Sequence, residues 1–164
     1  MSFYCLRENR RIRCLEVERR FDAAREDYRL SRFQRIDIRP VSVYAEAPED
    51  ALSELDFWMI HGVAPLFQRR LAEKVIERTD PDNLLVKRVT LEAPAFKTEF
   101  YVLLPRAIDV LDGGGKIRAG KCGRYPIFKA QGNEDDIIVN GEMARILRGA
   151  AFPGGNLRLE RVDS

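Results

Sequence analysis

The side chains that could perform acid–base or nucleophilic chemistry are few in this 164-residue chain. His61 is the only histidine, and a serine or cysteine nucleophile normally needs a histidine base that a third group orients. No serine lies in a GxSxG motif, and one histidine cannot form the HExxH motif or the His/Cys cluster of a zinc site. The sequence therefore predicts no catalytic residue, no metal site and no enzymatic activity.

A glycine-rich run at residues 112–116 has part of the composition of a phosphate-binding loop. Lys116 follows three consecutive glycines, but Ile117 stands where a Walker loop requires serine or threonine. No helical pattern begins there, and the run contains no GxGxxG motif, so it predicts a surface loop. We expect no nucleotide and no other cofactor.

Glu134, Asp135 and Asp136 form the densest acidic run. Carboxylates can bind a divalent cation or exchange protons, but three adjacent acids in a loop cannot all point into one site. The run is either a solvated loop or an acidic surface that enters a basic cleft on another protein, where charge complementarity speeds association. We expect Trp58 or His61 at the same partner-binding surface. The apolar neighbours of Trp58 favour the alternative of a core position.

The charges nearly cancel over the whole chain, which has 28 basic and 26 acidic residues. This balance disfavours nucleic-acid binding through a global field. Residues 1–39 nevertheless contain eleven arginines and seven acidic residues. The mixed signs favour a solvated face with internal ion pairs. The alternative is a nucleic-acid-associated module that uses the arginines of residues 7–39.

The cysteine pattern and the hydropathy predict a cytoplasmic protein. Cys5, Cys14 and Cys122 are odd in number and have no CxxC spacing, which is typical of reduced thiols rather than a disulfide scaffold. The first residues lack an apolar signal core. No apolar run approaches the eighteen residues of a membrane span, so we expect no contact with a membrane.

Hydrophobic periodicity predicts an α+β fold, a single compact domain with a mixed or antiparallel sheet and two main helices. The first helix is expected at Leu66–Ile76 with Pro65 in its first turn. The second is expected at Asn140–Leu147, capped by Asn140 and ended by Gly149. The expected strands are Asn83–Leu91, Glu99–Leu104 and Leu157–Val162, and the expected core positions on the helices are Leu71, Val75, Met143 and Leu147. Residues 1–49 are expected to form a basic strand and loop region packed on the main domain at 50–164.

An internal echo links the two helical regions. The segments Asn83–Val89 and Asn156–Val162 share the frame Asn-Leu-x-apolar-x-Arg-Val, and each follows a predicted helix. The echo indicates either one strand–helix–strand unit used twice around a shared core or a coincidence between alternating strands.

Several hydrophobic segments resemble a family of bacterial polymorphic-toxin immunity proteins, the eleventh in the usual immunity-protein numbering and first catalogued as a domain of unknown function. The resemblance covers roughly residues 50–164. Asn140 stands where such families commonly have serine or threonine before the C-terminal helix. The segments are Asp56-Phe57 with the helix at Leu66–Ile76, Tyr101–Leu104 with Ala107–Asp112, Pro126–Lys129, and Ile137–Leu147 with the last strand.

The resemblance implies that the chain binds and neutralises a cognate toxin, often one delivered by a contact-dependent or type VI secretion system. It implies no catalytic residues. The expected partner is therefore a toxin protein, with Glu134, Asp135, Asp136, Trp58 and His61 as candidate contacts.

Overall fold

The computed structural model describes residues 1–8, 41–44, 54–60, 64–93 and 96–162, which form ten strands and three α-helices. The predicted α+β class is confirmed. The strands are β1 (Phe3–Glu8), β2 (Val41–Tyr44), β3 (Phe57–Ile60), β4 (Ala64–Gln68), β5 (Leu84–Ala93), β6 (Phe96–Pro105), β7 (Ala107–Ile108), β8 (Ile127–Ala130), β9 (Asn133–Asn140) and β10 (Leu157–Val162). The helices are α1 (Arg69–Ile76), α2 (Ala119–Cys122) and α3 (Gly141–Ala150), with a 3₁₀ turn at Pro81–Asn83. No helix in these ranges is long and apolar enough to cross a membrane.

The strands form two five-stranded sheets. Sheet A has the order β10-β1-β9-β8-β7 and sheet B the order β2-β5-β6-β4-β3. Neighbouring strands are antiparallel except for the outer pairs β7/β8 and β2/β5, which are parallel. The expected single sheet of the three long strands is therefore wrong. The expected strand Leu157–Val162 is β10 of sheet A. The expected strands Asn83–Leu91 and Glu99–Leu104 correspond to β5 and β6 of sheet B.

The two sheets contain the same unit twice. The first repeat consists of β3, β4, α1, β5 and β6 in sheet B, where the strand order is β5-β6-β4-β3. The second repeat consists of β8, β9, α3 and β10 in sheet A, where β1 completes the order β10-β1-β9-β8. All pairs within both units are antiparallel. Strand β1, from the start of the chain, therefore has the place in the second repeat that β6 has in the first.

The strand register shows that the echo in the sequence is a structural repeat. Val89 pairs with Phe100 in the first repeat, and Val162 pairs with Phe3 in the second. These phenylalanines open the related sequences Phe-Tyr-Val-Leu and Phe-Tyr-Cys-Leu. The two Asn-Leu-x-apolar-x-Arg-Val frames are thus in the same register against equivalent strands, which favours duplication over coincidence.

Helix α1 begins at Arg69, three residues after its expected start at Leu66, and Pro65 lies in β4 instead of the first helical turn. Residues 64–68 are extended, because β4 pairs with both β3 and β6 and this pairing satisfies their backbone groups. The helix starts where the Gln68 side chain accepts a hydrogen bond from the N–H of Arg70 at 2.8 Å. In the second repeat, the Asn140 cap is confirmed by a 2.8 Å hydrogen bond from the N–H of Met143. Helix α3 continues past the expected stop at Gly149 to Ala150.

One hydrophobic core lies between the sheets and the two longer helices. The predicted core positions on the helices are confirmed, because Leu71, Val75, Met143 and Leu147 are at most 1% exposed. They occupy equivalent positions, three and seven residues after the caps Gln68 and Asn140. Both sheets contribute to this core through Leu6, Phe57, Phe67, Leu103, Ile127 and Val139. A second cluster covers the other face of sheet A and contains Phe3, Val110, Ile117, Cys122, Tyr125, Phe128, Ala130 and Ile138.

A buried polar network joins the two repeats. The Asp56 carboxylate, at the entrance to β3, is fully buried and accepts hydrogen bonds from the N–H of Phe152 at 3.0 and 3.1 Å and from Gln68 Nε2 at 3.3 Å. Asn156, at the entrance to β10, accepts hydrogen bonds from the N–H groups of Asp56 and Phe57 at 2.9 and 3.0 Å, and its Nδ2 donates to the carbonyl of Phe57. The network fixes the start of β3 against the turn between α3 and β10.

Gly155 belongs to this arrangement. Its N–H donates to the carbonyl of Phe152 at 2.9 Å. A Cβ at this position would overlap Asp56 Oδ2, so the turn approaches the carboxylate closely only because residue 155 has no side chain.

We expect Leu71→Ala to lower the free energy of unfolding by about 2–5 kcal/mol, because it leaves a cavity in the shared core. Ile76→Ala truncates an exposed apolar side chain of the same helix and is the control, with an effect well below that of Leu71→Ala. Urea unfolding followed by circular dichroism measures both. Equal midpoints for Leu71→Ala and wild type would show that the buried face of α1 is misassigned.

We expect Asp56→Asn to change how stability depends on pH. Burial raises the pKa of Asp56 above its ordinary 3.8, against the lowering effect of the Phe152 and Gln68 hydrogen bonds. The folded state therefore holds this proton more tightly than the unfolded state, and the resulting stability is lost as the pH rises through the folded pKa. Wild type should lose stability relative to Asp56→Asn as the pH rises from below 3.8 to neutral. Urea unfolding measures both proteins over this pH range. A gain in the stability of wild type relative to Asp56→Asn would contradict a raised pKa of Asp56 in the folded state.

Candidate functional site

The acidic run forms a bulge at the start of β9. Ile137 pairs with Lys129 and Asn133 pairs with Ala130, so residues 134–136 have no partners on β8. We name Glu134, Asp135 and Asp136 the acidic bulge. The expectation that they lie in a free loop is wrong, because β9 already begins at Asn133. Bulges redirect side chains and are common beside functional sites.

Asp136 is held in place by strand β1. Strand β9 pairs with β1 only as far as Ile138 opposite Cys5, so β1 continues past Cys5 without paired residues on β9. Arg7 lies on this extension, and its guanidinium donates to both Asp136 oxygens, with Nη2 to Oδ2 at 3.3 Å. Asn133 Nδ2 donates to the same carboxylate at 3.1 Å. The bulge is therefore anchored at one end by three hydrogen bonds.

The charge on Asp136 is stabilised by these contacts. Burial alone would raise its pKa, but the hydrogen bonds from Arg7 and Asn133 and the charge of Arg7 outweigh burial and lower the pKa below its ordinary 3.8. Arg7 Nε also reaches Glu160 at 3.3 Å. Asp136 thus remains ionised at neutral pH in a fixed orientation.

A cavity of about 470 Å³ opens beside the acidic bulge, between sheet A and the glycine-rich run. Its lining includes Arg7, Lys116, Asp136, Glu160 and Cys5. Burial, and to a smaller extent the charge of Asp136, raises the pKa of the Cys5 thiol to about 12. The thiol is therefore protonated at neutral pH and is not a nucleophile.

The glycine-rich run is organised by its own aspartate. Asp112 Oδ1 accepts hydrogen bonds from the N–H groups of Lys116 at 2.9 Å and Gly114 at 2.8 Å. Gly115 has a φ of 79°, which suits glycine at this tight turn. These backbone donors are used within the turn, so the run lacks the open cradle of N–H groups that a Walker loop offers to phosphate.

The acidic bulge is a departure from the repeated unit. Phe57 in the first repeat pairs with Phe67, as Ile127 in the second pairs with Val139. The first hairpin then continues in regular register to Ile60 opposite Ala64. The second hairpin leaves this register at Ala130, the equivalent of Ile60, because Ala130 pairs with Asn133 and not with Asp136, the equivalent of Ala64. The scaffold of the repeat does not require these acids.

The structure brings together some of the predicted site residues. Asp135 is exposed and Asp136 partly buried, while the backbone of Glu134 lies in the same bulge. Trp58 lies in β3 of sheet B, where it pairs with Leu66, and it is 8% exposed. This burial agrees with the alternative that Trp58 occupies a core position. His61 lies outside the described residues. Within the described ranges of the chain, no group of three or more His, Cys, Asp or Glu side chains could hold a metal ion.

Arg7, Asn133 and Glu160 belong to this surface but were not predicted from the sequence. Arg7 and Asp136 are 129 residues apart in the chain, so no local spacing links them. The echo between Phe3–Leu6 and Phe100–Leu103 is the signal that could have placed β1 beside β9.

No protein-family model, curated protein or solved structure matches this chain.

We expect Asp136→Asn to destabilise the fold by up to about 1 kcal/mol at neutral pH, as for other partly exposed ion pairs. Since the pKa of Asp136 is lowered in the folded state, this contribution is present above 3.8 and is lost as the pH falls through the folded pKa. Asp135→Asn, at the exposed neighbour, is the matched control and should leave the urea midpoint unchanged. Equal effects of the two substitutions at neutral pH would argue against the anchoring role of Asp136.

Proposed function

We propose that this chain is an immunity protein that neutralises a cognate bacterial toxin by placing the acidic bulge in a basic cleft of the toxin. The observation that carries the proposal is the bulge itself: three consecutive acids lie where this hairpin leaves the register that the hairpin of the first repeat keeps as far as Ile60 opposite Ala64. The resemblance of residues 50–164 to an immunity-protein family supports the same function.

The chemistry of the bulge suits a cleft that binds an anionic substrate. Carboxylates can occupy the positions that phosphates of a nucleic-acid substrate would take. Asp135 is exposed, and Asp136 is already oriented by Arg7, so little conformational freedom is lost there on binding. Exposed acids also steer a basic partner towards the surface and raise the association rate.

The surroundings of the bulge supply a rigid support. Strand β9 lies between β1 and β8 in sheet A, and Ile137, Ile138 and Val139 are buried directly after the bulge. A site on such a strand is positioned more accurately than one on a free loop. The adjacent cavity of about 470 Å³ provides room for a side chain of the partner.

Neutralisation by blocking a cleft needs no catalytic group and no cofactor in the inhibitor. A toxin of this kind acts inside the bacterial cell, so the proposal places the immunity protein in the cytoplasm. The toxin could be an effector of a type VI or contact-dependent secretion system.

The nucleic-acid alternative depends on the arginines of residues 7–39. Arg7 is the one of these within the described ranges, and it is paired with Asp136 and Glu160. This pairing favours a protein partner, because a compensated arginine attracts phosphate weakly.

The test uses the toxin encoded beside the gene for this chain, co-expressed and then purified for binding kinetics. Replacing Glu134 by Gln and Asp135 by Asn should slow association at least roughly tenfold at low salt, with a smaller difference at high salt. Growth protection should weaken in parallel. The matched control removes the same charge elsewhere, with Glu54→Gln and Asp82→Asn at exposed positions.

Equal association rates for the bulge variant and the control would exclude the acidic bulge as the contact. A wild-type chain that neither binds the neighbouring toxin nor restores growth would contradict the immunity function itself.

A further inference from the structure

A second cavity, of about 630 Å³, opens at the β7 edge of sheet A. Its lining includes three cations, Arg106, Lys121 and Arg124, together with Asp109 and Tyr125. It has no lining residue in common with the cavity beside the acidic bulge. Its volume lies within the usual range for small-molecule sites.

One wall of this cavity is a short turn with its cations on the outside. Arg118, Lys121 and Arg124 recur at every third residue, while Cys122 and Tyr125 face the core and are 0% and 8% exposed. The turn is fixed by hydrogen bonds from the N–H of Lys121 to the carbonyl of Arg118 at 3.0 Å and from the N–H of Tyr125 to the carbonyl of Cys122 at 2.9 Å. The cations therefore project from a rigid base.

The opposite wall is equally well anchored. The N–H of Arg106 donates to the carbonyl of Asn83 at 3.0 Å, and its carbonyl accepts a hydrogen bond from the N–H of Lys129 at 2.9 Å. Both backbone groups of Arg106 are thus used, and its exposed side chain lies at the cavity.

The positive charge at this cavity is only partly compensated. Asp109 is shared by Arg118 at 3.3 Å and Lys121 at 3.5 Å. Within the described part of the chain, Arg106 and Arg124 have no carboxylate within 4.0 Å. Arg124 is held instead by a neutral group, since its guanidinium lies 5.0 Å from the Tyr125 ring centroid and donates to Tyr125 Oη at 2.8 Å. Such contacts orient the guanidinium without neutralising it.

We propose that this cavity binds a phosphate group, with Arg106, Arg124 and Lys121 as its ligands. Guanidinium groups present planar, paired N–H donors that match phosphate oxygens. A bound phosphate would neutralise the excess positive charge that Asp109 leaves. The site is independent of the proposed toxin contact, since it lies at a separate cavity and has the opposite charge.

Isothermal titration of the full chain with sodium pyrophosphate at low salt tests the proposal. We expect saturable binding, and the double variant Arg106→Ala with Arg124→Ala should weaken it at least about tenfold. Arg88→Ala with Arg145→Ala removes the same charge from exposed positions outside the cavity and should retain binding. A variant with lysine at 106 and 124 keeps the charge but loses the paired donors, and it should bind with intermediate affinity.

Competition with short oligonucleotides that carry or lack a 5′-phosphate identifies the source of the phosphate. Displacement of pyrophosphate only by the phosphorylated form supports a terminal phosphate of nucleic acid, while displacement by neither supports a small phosphorylated molecule. Displacement by both supports the phosphodiester backbone. An absence of pyrophosphate binding at millimolar concentrations, or equal weakening by the cavity variant and its control, would overturn the proposal.

Discussion

Asp56 and Asn156 bring polar groups into the interior at the point where the two repeats meet, and every one of those groups needs a hydrogen-bond partner there. An unsatisfied buried group would cost about 1–3 kcal/mol, and more if charged. The partners are the entrance to β3, the cap of α1 and the turn after α3. The requirement for these bonds fixes where β3 and β10 begin, and so the placement of each sheet relative to the other.

A comparison of equivalent positions in the two repeats distinguishes residues that build the fold from residues that give one repeat its surface charge. Leu71 and Met143 occupy matching positions in the shared core, and Phe100 and Phe3 occupy matching positions in the strand register. The acids at 134–136 depart from that pattern, since Ala64 in the first repeat takes the position of Asp136. The cations at 118–124 belong to a turn outside the repeated strands, where Cys122 and Tyr125 are buried between them.

The sequence predicted those features that depend on neighbouring residues. The buried faces of the helices, the Asn140 cap and the bounds of β10 follow from local spacing. The extended conformation of Pro65–Phe67 depends on pairing with β3 and β6, which overrides a helical pattern. The place of β1 within sheet A and the Arg7–Asp136 pair join distant parts of the chain. The acidic run was proposed as a contact surface from composition, but the bulge in which it lies is a property of strand register.

Sheet A contains β1 at the position that β6 has in sheet B. This arrangement determines which sheet can form first during synthesis. The first repeat is contiguous from β3 to β6, so it can collapse on the ribosome once those residues have emerged. Strand β1 leaves the ribosome earlier than any other strand described here, yet its neighbours β9 and β10 are translated after all of sheet B. Phe3, Cys5 and Leu6 must therefore remain unpaired while most of the chain is made. Such non-local pairing slows folding and exposes an apolar segment to aggregation or chaperones. Completion of sheet A, and with it the contact between Arg7 and Asp136, consequently follows the synthesis of all strands of sheet B.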